Sequence, residues 1–456
     1  MSAQNQREQW GSKIGFILAA AGSAIGLGNI WKFPYVAGEN GGAAFVLIYL
    51  ICTALIGLPV LIGEILIGRS TSKDPVGAFK SLSGSKFWAS VGGMGVIAGF
   101  IILSFYAVVA GWSLGYIYEA VTGKFHAFPE PSQAANHFGD LIGNVYWIVG
   151  YFALFMIITM FVVVAGVQKG IERGSKIMMP ILFALIIILV IRGVTLEGAE
   201  AGIAFLLKPD WSLITGKSIL EALGQSFFTL SMGMGAMLTY GSYMSKKDNI
   251  PTSAVNIVIL DTSIALLAGL AIFSSVFATG LDPTAGPGLI FHTLPVVFTK
   301  MPGGYIFSIV FFILLSIAAL TSAISLLEVI TAYFVDEKNW SRKKAVMVFG
   351  GITFLIGIPS ALSFNVLSNF SIFGLSFFDF ADYITSNIML PLGGLLISVF
   401  IAYRWGFGNA LANLRNGAEN LIDNYPVLVT IWKISVKYLS PVLIFLVFLY
   451  SIGIFN

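Results

Sequence analysis

The first apolar segment long enough to cross a membrane, residues 13–36, is interrupted by glycines. They fall close together in the sequence: Gly22, Gly26 and Gly28. Each glycine disfavours a helix by roughly 1 kcal/mol relative to alanine, so the run predicts a helix break within the membrane. Backbone groups freed in a bilayer are tolerated only where they are buried in protein or line a polar cavity. Because Ser23 and Asn29 add side-chain oxygens that suit hard cations, the segment predicts half of a binding site, with a small-residue helix-packing face as the alternative.

The composition narrows the class of protein. Of the 456 residues, 57% are hydrophobic and 10% are charged, and the mean hydropathy is +0.89, as in a polytopic helical membrane protein. The single cysteine, Cys52, excludes an internal disulfide, and the widely spaced histidines indicate no metal site built on them. The N-terminal stretch does not have the pattern of a signal peptide, so residues 1–12 are predicted to remain as a cytoplasmic tail.

Apolar runs of spanning length predict eleven transmembrane helices. They cover residues 13–36, 42–69, 88–121, 144–166, 174–192, 222–244, 252–280, 303–335, 344–363, 376–403 and 430–453. With the N-terminus inside, most Lys and Arg residues fall in loops on the cytoplasmic side, as the positive-inside rule requires. The sequence therefore predicts a multi-pass protein of the cell (inner) membrane with a cytoplasmic N-terminus and an extracellular C-terminus.

A second glycine-rich interruption, residues 224–235, lies in the sixth predicted span, five spans after the first. Broken segments at corresponding places in two halves indicate an inverted-repeat secondary transporter that holds its substrate and ions at the breaks. The predicted organisation follows this division: a tail (1–12), a first five-span repeat (13–192), an extracellular loop (193–221), a second five-span repeat (222–403) with extracellular loop helices at 281–300, a cytoplasmic loop (404–429) and a peripheral eleventh span (430–456).

Charged residues at membrane depth each need a role or a partner. Glu64 and Glu328 are predicted to accept hydrogen bonds from N–H groups that a broken helix frees. Asp261 follows the second break in the sequence and is interpreted as a cation ligand rather than as a helix-capping residue. The hydroxyl-rich stretch 318–325 in the eighth span allows two interpretations, helix packing or an ion site.

Charges near the ends of the spans suggest gates. An ion pair between Lys32 and Asp382 would close the site from outside, the alternative being that these are solvated loop charges. On the cytoplasmic side, Arg7 and Asp336 could form the matching latch. In the fifth span, Gly170 and Pro180 bound a segment (170–180) that either unwinds or forms an ordinary proline kink.

Several of these stretches together match one family. The sequence resembles the neurotransmitter:sodium symporters, and it is most similar to their eleven-span bacterial branch, typified by a multi-hydrophobic amino acid transporter. The resemblance rests on these segments: Gly22–Asn29, Trp31–Tyr35, Glu39–Gly42, Tyr106–Trp112, Gly170–Pro180, Phe228–Ser231 and Thr321–Ser322. It implies an all-α, LeuT-type fold of five plus five inverted spans, with helices 1 and 6 broken and one extra span. It also implies sodium-coupled symport by alternating access, not an enzyme.

The resemblance further implies the residues of the site. The first sodium site would use Ala24, Asn29, Thr229 and Asp261 together with the substrate carboxylate. The second sodium site would use backbone at Gly22, Ile25 and Ala318 and the hydroxyls of Thr321 and Ser322. The substrate pocket maps onto Ser23, Ala24, Leu27, Gly28, Ile102, Tyr106, Phe228, Thr229, Ser231, Met234, Ser322, Ser325 and Leu326. The outer gate maps onto Lys32, Gln225 and Asp382, and the inner gate onto Arg7, Trp10, Tyr243 and Asp336.

The chain departs from the family pattern at positions that belong to the outer ion pair, the first sodium site and the chloride site. Lys32 replaces the usual arginine, which removes a bidentate fork to Asp382. Asp261 replaces the usual asparagine, and Ala265 replaces the serine of chloride-dependent members. The other residues of the chloride set are present: Tyr49, Gln225 and Thr229. We therefore expect two sodium ions per substrate, no chloride requirement, and a carboxylate at Asp261 that can take up a proton for antiport.

The expected substrate is an L-amino acid with a hydrophobic or aromatic side chain. Monoamine carriers of the family have an aspartate where this chain has Gly26, so an amine without its own carboxylate would find no fixed anion. The adaptable side chain of Met234 favours several bulky substrates. A carrier of another small zwitterionic solute and a non-transporting membrane sensor remain as alternatives. Sodium, the amino acid and the lipid bilayer are the expected partners, without nucleic acid or an obligatory protein partner.

Overall fold

The computed structural model describes residues 8–128, 130–282 and 289–454. Within these ranges, nine helices and one bent pair of helices are long and apolar enough to cross a membrane. The first half contains α1 (Lys13–Ala24), α2 (Gly28–Glu39), α3 (Ala43–Thr71), α4 (Pro75–Ser83), α5 (Lys86–Val121), α6 (Pro131–Gly143), α7 (Val145–Val164), α8 (Val167–Val194) and α9 (Ala199–Leu207). The second half contains α10 (Gly216–Thr229), α11 (Ala236–Gly241), α12 (Ile250–Ala278), α13 (Thr293–Lys300), α14 (Gly304–Lys338), α15 (Arg342–Leu362), α16 (Phe377–Arg404), α17 (Phe407–Arg415), α18 (Glu419–Asn424) and α19 (Pro426–Ser451).

The predicted spans agree with the observed helices to within a few residues over most of the chain. Side-chain oxygens of Asn144, Asn249 and Ser341 accept hydrogen bonds from the free backbone N–H groups at the starts of α7, α12 and α15, which explains where these helices begin. The sixth predicted span, 222–244, is divided between α10 and α11, of 14 and 6 residues, each too short to cross a membrane alone. The total of eleven spans therefore stays a prediction.

In the fifth span, residues 170–180 were predicted either to unwind or to form a proline kink. Helix α8 opens with a π-helical turn at Val167–Glu172 and remains helical through Pro180, so this segment is not unwound. A side chain at Gly170 would collide with the carbonyl oxygen of Val162 on α7. The glycine therefore serves close packing of two helices here, and the segment 170–180 is helical throughout, while a kink at Pro180 stays a prediction.

Both predicted helix breaks are present. Between α1 and α2 the axis turns by 50°, across residues 25–27. Between α10 and α11 the chain adopts positive φ at Ser231 (53°), Gly233 (83°) and Gly235 (76°). A Cβ at Gly233 would also run into the carbonyl oxygen of Leu390, so this turn requires glycine on two counts.

The breaks lie in the centre of the bundle, beside the long helices α5 and α14, which pack against each other. Gly95 on α5 allows the second break to pack closely against this helix, because a Cβ at Gly95 would lie only 3.4 Å from the backbone nitrogen of Gly235. At one end of the bundle, which we call the tail side, residues 8–12 contact the first turns of α8 and α15. We call the other end the opposite side.

Candidate functional site

The two broken helices meet at their breaks. The carbonyl oxygen of Ser23, near the end of α1, accepts hydrogen bonds from Ser231 Oγ (2.8 Å) in the second break and from Ser322 Oγ (3.0 Å) on α14. Ser23 Oγ donates to Ser325 Oγ at 2.6 Å. Side chains from two other elements thus bind the backbone at the end of α1, and the two predicted half-sites lie together.

A buried carboxylate and amide lie beside the first break. Asn29 Nδ2 donates to Asp261 Oδ1 (2.7 Å) and to the Asp261 carbonyl oxygen (3.0 Å), while Asn29 Oδ1 accepts from the N–H of Gly26 (3.3 Å). The Asn29 and Asp261 side chains are fully buried. Among the described residues, no donor is in hydrogen-bonding geometry with Asp261 Oδ2. Because a buried carboxylate oxygen without a partner is costly, this arrangement fits a site that receives a cation.

Thr229, at the end of α10, joins this group to a second polar cluster. Its Oγ1 lies 3.4 Å from Tyr49 Oη and donates to the carbonyl oxygen of Gln225 at 3.1 Å. Gln225 Nε2 donates in turn to the carbonyl oxygen of Gly28 at 2.8 Å, which ties α10 to the start of α2. Ala265 is buried in one cluster with Tyr49. Three polar residues of the chloride set are therefore close together, and an alanine occupies the fourth position.

The predicted second sodium set lies between α1 and α14. Thr321 Oγ1 is 3.4 Å from the carbonyl oxygen of Ile25 and 2.9 Å from that of Ala318. Ser322 Oγ is 3.4 Å from the same Ile25 oxygen. Gly22 packs on Thr321, since a Cβ at Gly22 would lie 3.2 Å from Thr321 Cβ. These contacts gather oxygen atoms from two helices, as an ion site would need, and the same hydrogen bonds also join the two helices, so the ion-site and helix-packing interpretations of the hydroxyl cluster both stay open.

A small cavity of about 30 Å³ lies between the breaks, α5 and α14. Most predicted substrate residues line it, and Gly26 is added to them: Ala24, Gly26, Leu27, Gly28, Ile102, Tyr106, Phe228, Ser231, Met234, Ser322 and Leu326. Tyr106 Oη accepts a hydrogen bond from the N–H of Leu27 at 3.3 Å, which places the phenol group against the first break. The remaining predicted substrate residues are absent from this lining: Ser23, Thr229 and Ser325.

A larger cavity of about 400 Å³ adjoins the small one, and Phe228 lines both. Lys32 Nζ lies 4.3 Å from the centroid of the Phe228 ring, a cation–π contact. Asp382 Oδ1 instead accepts from Ser386 Oγ at 2.7 Å, and no ion pair joins Lys32 to Asp382 in the described part of the chain. The outer ion pair expected from the sequence is therefore not formed here, because the lysine lies over the aromatic ring.

The two buried glutamates have different kinds of partner. Glu64 Oε1 accepts the N–H of Gly233 in the second break at 2.7 Å, as predicted. Glu328 accepts from Tyr243 Oη at 2.5 Å and forms an ion pair with Arg342. The prediction that Glu328 binds freed N–H groups is wrong, since this carboxylate lies toward the tail side, within reach of the first residue of α15.

The tail itself closes over the second broken helix. The ring of Trp10 packs edge-on against Tyr240 with centroids 5.2 Å apart, and Trp10 Nε1 donates to the Tyr240 carbonyl oxygen at 2.9 Å. The Trp10 N–H donates to the carbonyl oxygen of Tyr243 at 3.1 Å. Two predicted inner-gate residues are thus in contact. Arg7 lies outside the described residues, so its pairing with Asp336 stays a prediction.

Asp74 provides a further carboxyl group on the tail side. Its Oδ1 accepts the N–H groups of Val76 (2.9 Å) and Gly77 (3.3 Å) and so caps α4, while its own N–H donates to Asp336 Oδ2 at 2.9 Å. Burial, reinforced by the nearby Asp336 carboxylate, raises the pKa of Asp74 to about 7. The tail side therefore contains a group that titrates near neutral pH.

Three charged residues of the tail side were not among the predicted gates: Glu8, Glu172 and Arg342. Arg342 pairs with Glu328, donates from Nε to the carbonyl oxygen of Val163 (2.7 Å) and lies 3.8 Å from Glu8 Oε2. One sequence signal could have found this residue, because a glutamate at membrane depth needs a cation and Arg342 opens the next helix. Glu172 gives no such signal, since an i,i+4 pair with Lys176 would already account for it and its other partners, Gly11 and Ser12, lie in the tail.

Comparison with known proteins gives a consistent result over nearly the whole chain. Residues 7–129 and 132–456 match the model of the sodium:neurotransmitter symporter family. A sodium-dependent transporter of Bacillus subtilis (strain 168), YhdH, is 46% identical over 448 residues, which cover 98% of each chain. The human sodium- and chloride-dependent taurine transporter is 27% identical over 98% of this chain and 78% of its own. The crystal structure of MhsT in complex with L-phenylalanine is similar with a TM-score of 0.89 and 49% identity, covering 98% of this chain and 100% of that one.

Proposed function

Because this chain belongs to the sodium:neurotransmitter symporter family, whose members are sodium-coupled membrane transporters and not enzymes, we propose that it carries hydrophobic and aromatic L-amino acids by alternating access. The observation that carries the proposal is the small cavity between the two helix breaks. Its lining combines the Tyr106 hydroxyl with the apolar side chains of Met234 and Leu326, and Asn29, which binds Asp261, follows the lining residue Gly28 in the chain. These groups suit a molecule with a charged head and an apolar side chain, and the cavity must widen to admit one, because about 30 Å³ holds only one or two waters.

The polar end favours a zwitterion. Tyr106 can donate a hydrogen bond to a substrate carboxylate, which would also lie close to the first sodium ion. At Gly26 there is no room for a side chain, since a Cβ would lie 2.8 Å from Tyr106 Oη and closer still to Ser322 Oγ. A fixed aspartate cannot be accommodated at this position without displacing those groups, so the substrate must bring its own carboxylate. The solved relative MhsT binds L-phenylalanine, a substrate of this kind.

We propose two sodium ions per substrate, one at the Asp261 group and one at the Thr321 and Ser322 group. The first receives a fixed negative charge from Asp261, which replaces the chloride that Ala265 cannot help to bind. Transport should therefore be independent of chloride. When sodium and substrate have left, the buried carboxylate is costly as an anion and takes up a proton, so that the return step becomes proton antiport.

We further propose that the tail side faces the cytoplasm of the cell (inner) membrane, with the C-terminus outside. The basic residues at the ends of the helices support this orientation, since Arg342 and its neighbours Lys343 and Lys344 open α15 on the tail side. The cavity of about 400 Å³ would then be the extracellular entrance, separated from the substrate cavity by Phe228. The predicted five-plus-five repeat, residues 13–192 and 222–403, accounts for the central position of both breaks.

The substrate is tested with the purified protein in vesicles. Uptake of labelled leucine, phenylalanine and tryptophan is measured with an inward sodium gradient and with potassium in place of sodium. We expect accumulation only with sodium, and competition by unlabelled hydrophobic amino acids but not by dopamine. Uptake that is indifferent to sodium, or that dopamine inhibits better than leucine does, contradicts the proposal. Taurine in the same competition series tests the alternative of another small zwitterion.

The anion proposal is tested by replacing chloride with gluconate. The parent should transport equally in both, whereas the combined variant Asp261→Asn with Ala265→Ser, which restores the serine of the chloride set, should need chloride. Asp261→Asn alone is the matched control, since it removes the charge without completing the chloride set and should lose most transport in either anion. A parent that stops in gluconate would show that Asp261 does not supply the negative charge.

A further inference from the structure

The tail and α8 bind each other on the tail side. The N-terminus of α8 is capped from the tail, because Glu8 Oε2 accepts the N–H of Val167 at 2.6 Å. The start of α1 is bound by α8, because Glu172 Oε2 accepts the N–H of Gly11 at 2.6 Å and Glu172 Oε1 accepts from Oγ of Ser12, the N-cap residue of α1, at 2.9 Å. Carboxylates thus join the start of each helix to the other element.

Glu172 occupies the more constrained of these two positions. Its residue is only 3% exposed, and its carboxylate receives a third hydrogen bond from Lys176 Nζ at 2.7 Å. The carboxylate lies directly on Gly15, where a Cβ would overlap Glu172 Oε1. Ser12, which Glu172 orients, accepts in turn from the N–H of Gly15 at 3.0 Å and is the N-cap of α1. The absence of a side chain at Gly15 thus leaves room for the buried Glu172 carboxylate at the positive end of the α1 dipole.

The position of Glu172 along α8 gives this contact a mechanical meaning. It is the last residue of the π-helical turn Val167–Glu172 that opens α8. Helix α1 carries the backbone of Gly22 and Ile25 at the predicted second sodium site, about two to three turns further on. Any outward movement of the start of α1 on the tail side must therefore break the Glu172 contacts or take the first turn of α8 with it.

We propose that Glu172 is a positioning residue of the tail-side gate: its carboxylate holds the start of α1 against α8, and release of this carboxylate permits α1 to move and the ions and substrate to leave toward the cytoplasm. The role in release rests on the proposed transport function. The holding contact does not, because it is made by Gly11, Ser12 and Gly15 whatever the substrate is. The two parts can therefore fail separately.

The holding contact is tested by amide hydrogen exchange on the purified protein in nanodiscs without substrate, followed in peptides from residues 8–24. In Glu172→Ala, the amides of residues 11–18 should exchange roughly tenfold faster, as expected when charge-assisted hydrogen bonds to Gly11 and to the N-cap Ser12 are lost, while α5 and α14 keep their protection. Glu172→Gln keeps one acceptor and should give a smaller change in the same peptides. The matched control is Glu200→Gln, an exposed glutamate in the first turn of α9, which should change nothing in residues 11–18.

A second pair of variants keeps the test decisive if Glu172→Ala loosens the whole bundle. Gly15→Ala in the parent pushes a methyl group into the Glu172 carboxylate and should speed exchange in residues 11–18. In a Glu172→Gly background the space is vacant, and the same Gly15→Ala change should slow exchange, because alanine favours a helix more than glycine does. Opposite signs in the two backgrounds support the proposal. Equal signs, or unchanged protection in both Glu172→Gln and Glu172→Ala, overturn it.

The role in release is measured separately, by the apparent affinity for sodium and by transport. A gate that opens too easily reduces the population that binds from outside, so Glu172→Gln should weaken apparent sodium affinity severalfold and speed efflux of preloaded substrate relative to uptake. A purely structural defect lowers efflux and uptake together, and that result contradicts the gating role. If the parent carries no amino acid at all, the proposed function fails, while the exchange experiment still decides whether Glu172 holds α1.

Discussion

The two ends of the bundle are closed in different ways. On the tail side, Arg342 is paired with the buried Glu328, Glu172 binds Gly11 and Ser12 at the start of α1, and Trp10 packs on Tyr240. On the opposite side, Phe228 lies between the small cavity and the larger one, and Lys32 lies over its ring. A cavity of about 400 Å³ reaches that ring from the opposite side.

This difference identifies which end costs more to open. Separating Arg342 from Glu328 leaves a carboxylate that is fully buried without its cation, and breaking such a pair typically costs about 3–5 kcal/mol. Moving Phe228 aside costs a cation–π contact of about 0.5–2 kcal/mol and some apolar packing. From these two contacts we expect the opposite side to open more easily than the tail side.

The largest expected effect comes from Arg342→Ala. It leaves Glu328 without its cation in the closed state, so the tail side should open and transport should fall by at least tenfold. Opening is measured as alkylation of Tyr240→Cys in a Cys52→Ser chain, because Trp10 covers Tyr240 when the tail side is closed. In the comparison variant Arg342→Ala with Glu328→Gln, no charge is left uncompensated and the cysteine should be less reactive than in Arg342→Ala alone.

The control for Arg342 is Arg415→Ala. Arg415 forms an ion pair with Asp423 in which both side chains are about half exposed, at 54% and 53%. Exposed pairs contribute little, so neither transport nor the reactivity of the cysteine should change. If Arg342→Ala leaves the cysteine as protected as Arg415→Ala does, the tail side is not held by this pair, and the contrast between the two ends does not rest on it.

A medium effect is expected on the opposite side from Lys32→Arg. The planar guanidinium can make two parallel hydrogen bonds to a carboxylate, so this change should form the ion pair with Asp382 that lysine does not form here. The opposite side should then close more tightly, which predicts a two- to fivefold slower release of bound substrate to that side. Lys32→Arg combined with Asp382→Asn should return to the parent rate. An Arg variant with parent kinetics in both backgrounds would mean that closure depends on Phe228 alone.

The sequence predicts the centre of this molecule better than its ends. The breaks, the charge at Asp261 and the Glu64 contact with the second break follow from the types of residue that a bilayer tolerates, whereas the cavity lining was predicted from the family resemblance. In these places a glycine or a charge within an apolar run has few physical solutions. The family resemblance then adds which residues face one another, and the structure brings these groups together.

The ends are less predictable because charged residues there have many partners within reach. Lys32 could pair with Asp382 or lie on Phe228, and the structure has the second arrangement, which no local pattern favours over the first. Glu328 pairs with Arg342 across a helix connection, whereas the sequence alone suggested freed backbone groups as its partner. The Glu172 contact was not predicted at all, since it depends on the exact placement of a tail more than 150 residues away in sequence.

The smallest expected effect is a pH dependence of the tail side that originates at Asp74. Burial and the nearby Asp336 raise the pKa of Asp74 from 3.8 to about 7, so the folded chain holds this proton more tightly than the unfolded chain does. Stability should therefore fall as the pH rises from about 4 to about 7 and level off above that, as the carboxylate becomes charged beside Asp336 and Glu337.

Asp74→Asn tests this dependence, because the amide oxygen can still accept the N–H of Val76 and cap α4 while the group no longer titrates. Between pH 5.5 and pH 8 the parent should lose about 1–2 kcal/mol more than the variant, which is about 1–2 °C in the unfolding temperature measured in detergent. The control is Asp423→Asn, which changes an exposed aspartate in the predicted cytoplasmic loop 404–429. Its loss of stability between pH 5.5 and pH 8 should equal that of the parent. If the parent and Asp74→Asn lose the same stability over this range, the carboxyl group is already charged at pH 5.5, and the tail side is held without a proton at Asp74. In that case its stronger closure would rest on the Arg342 and Glu172 contacts alone.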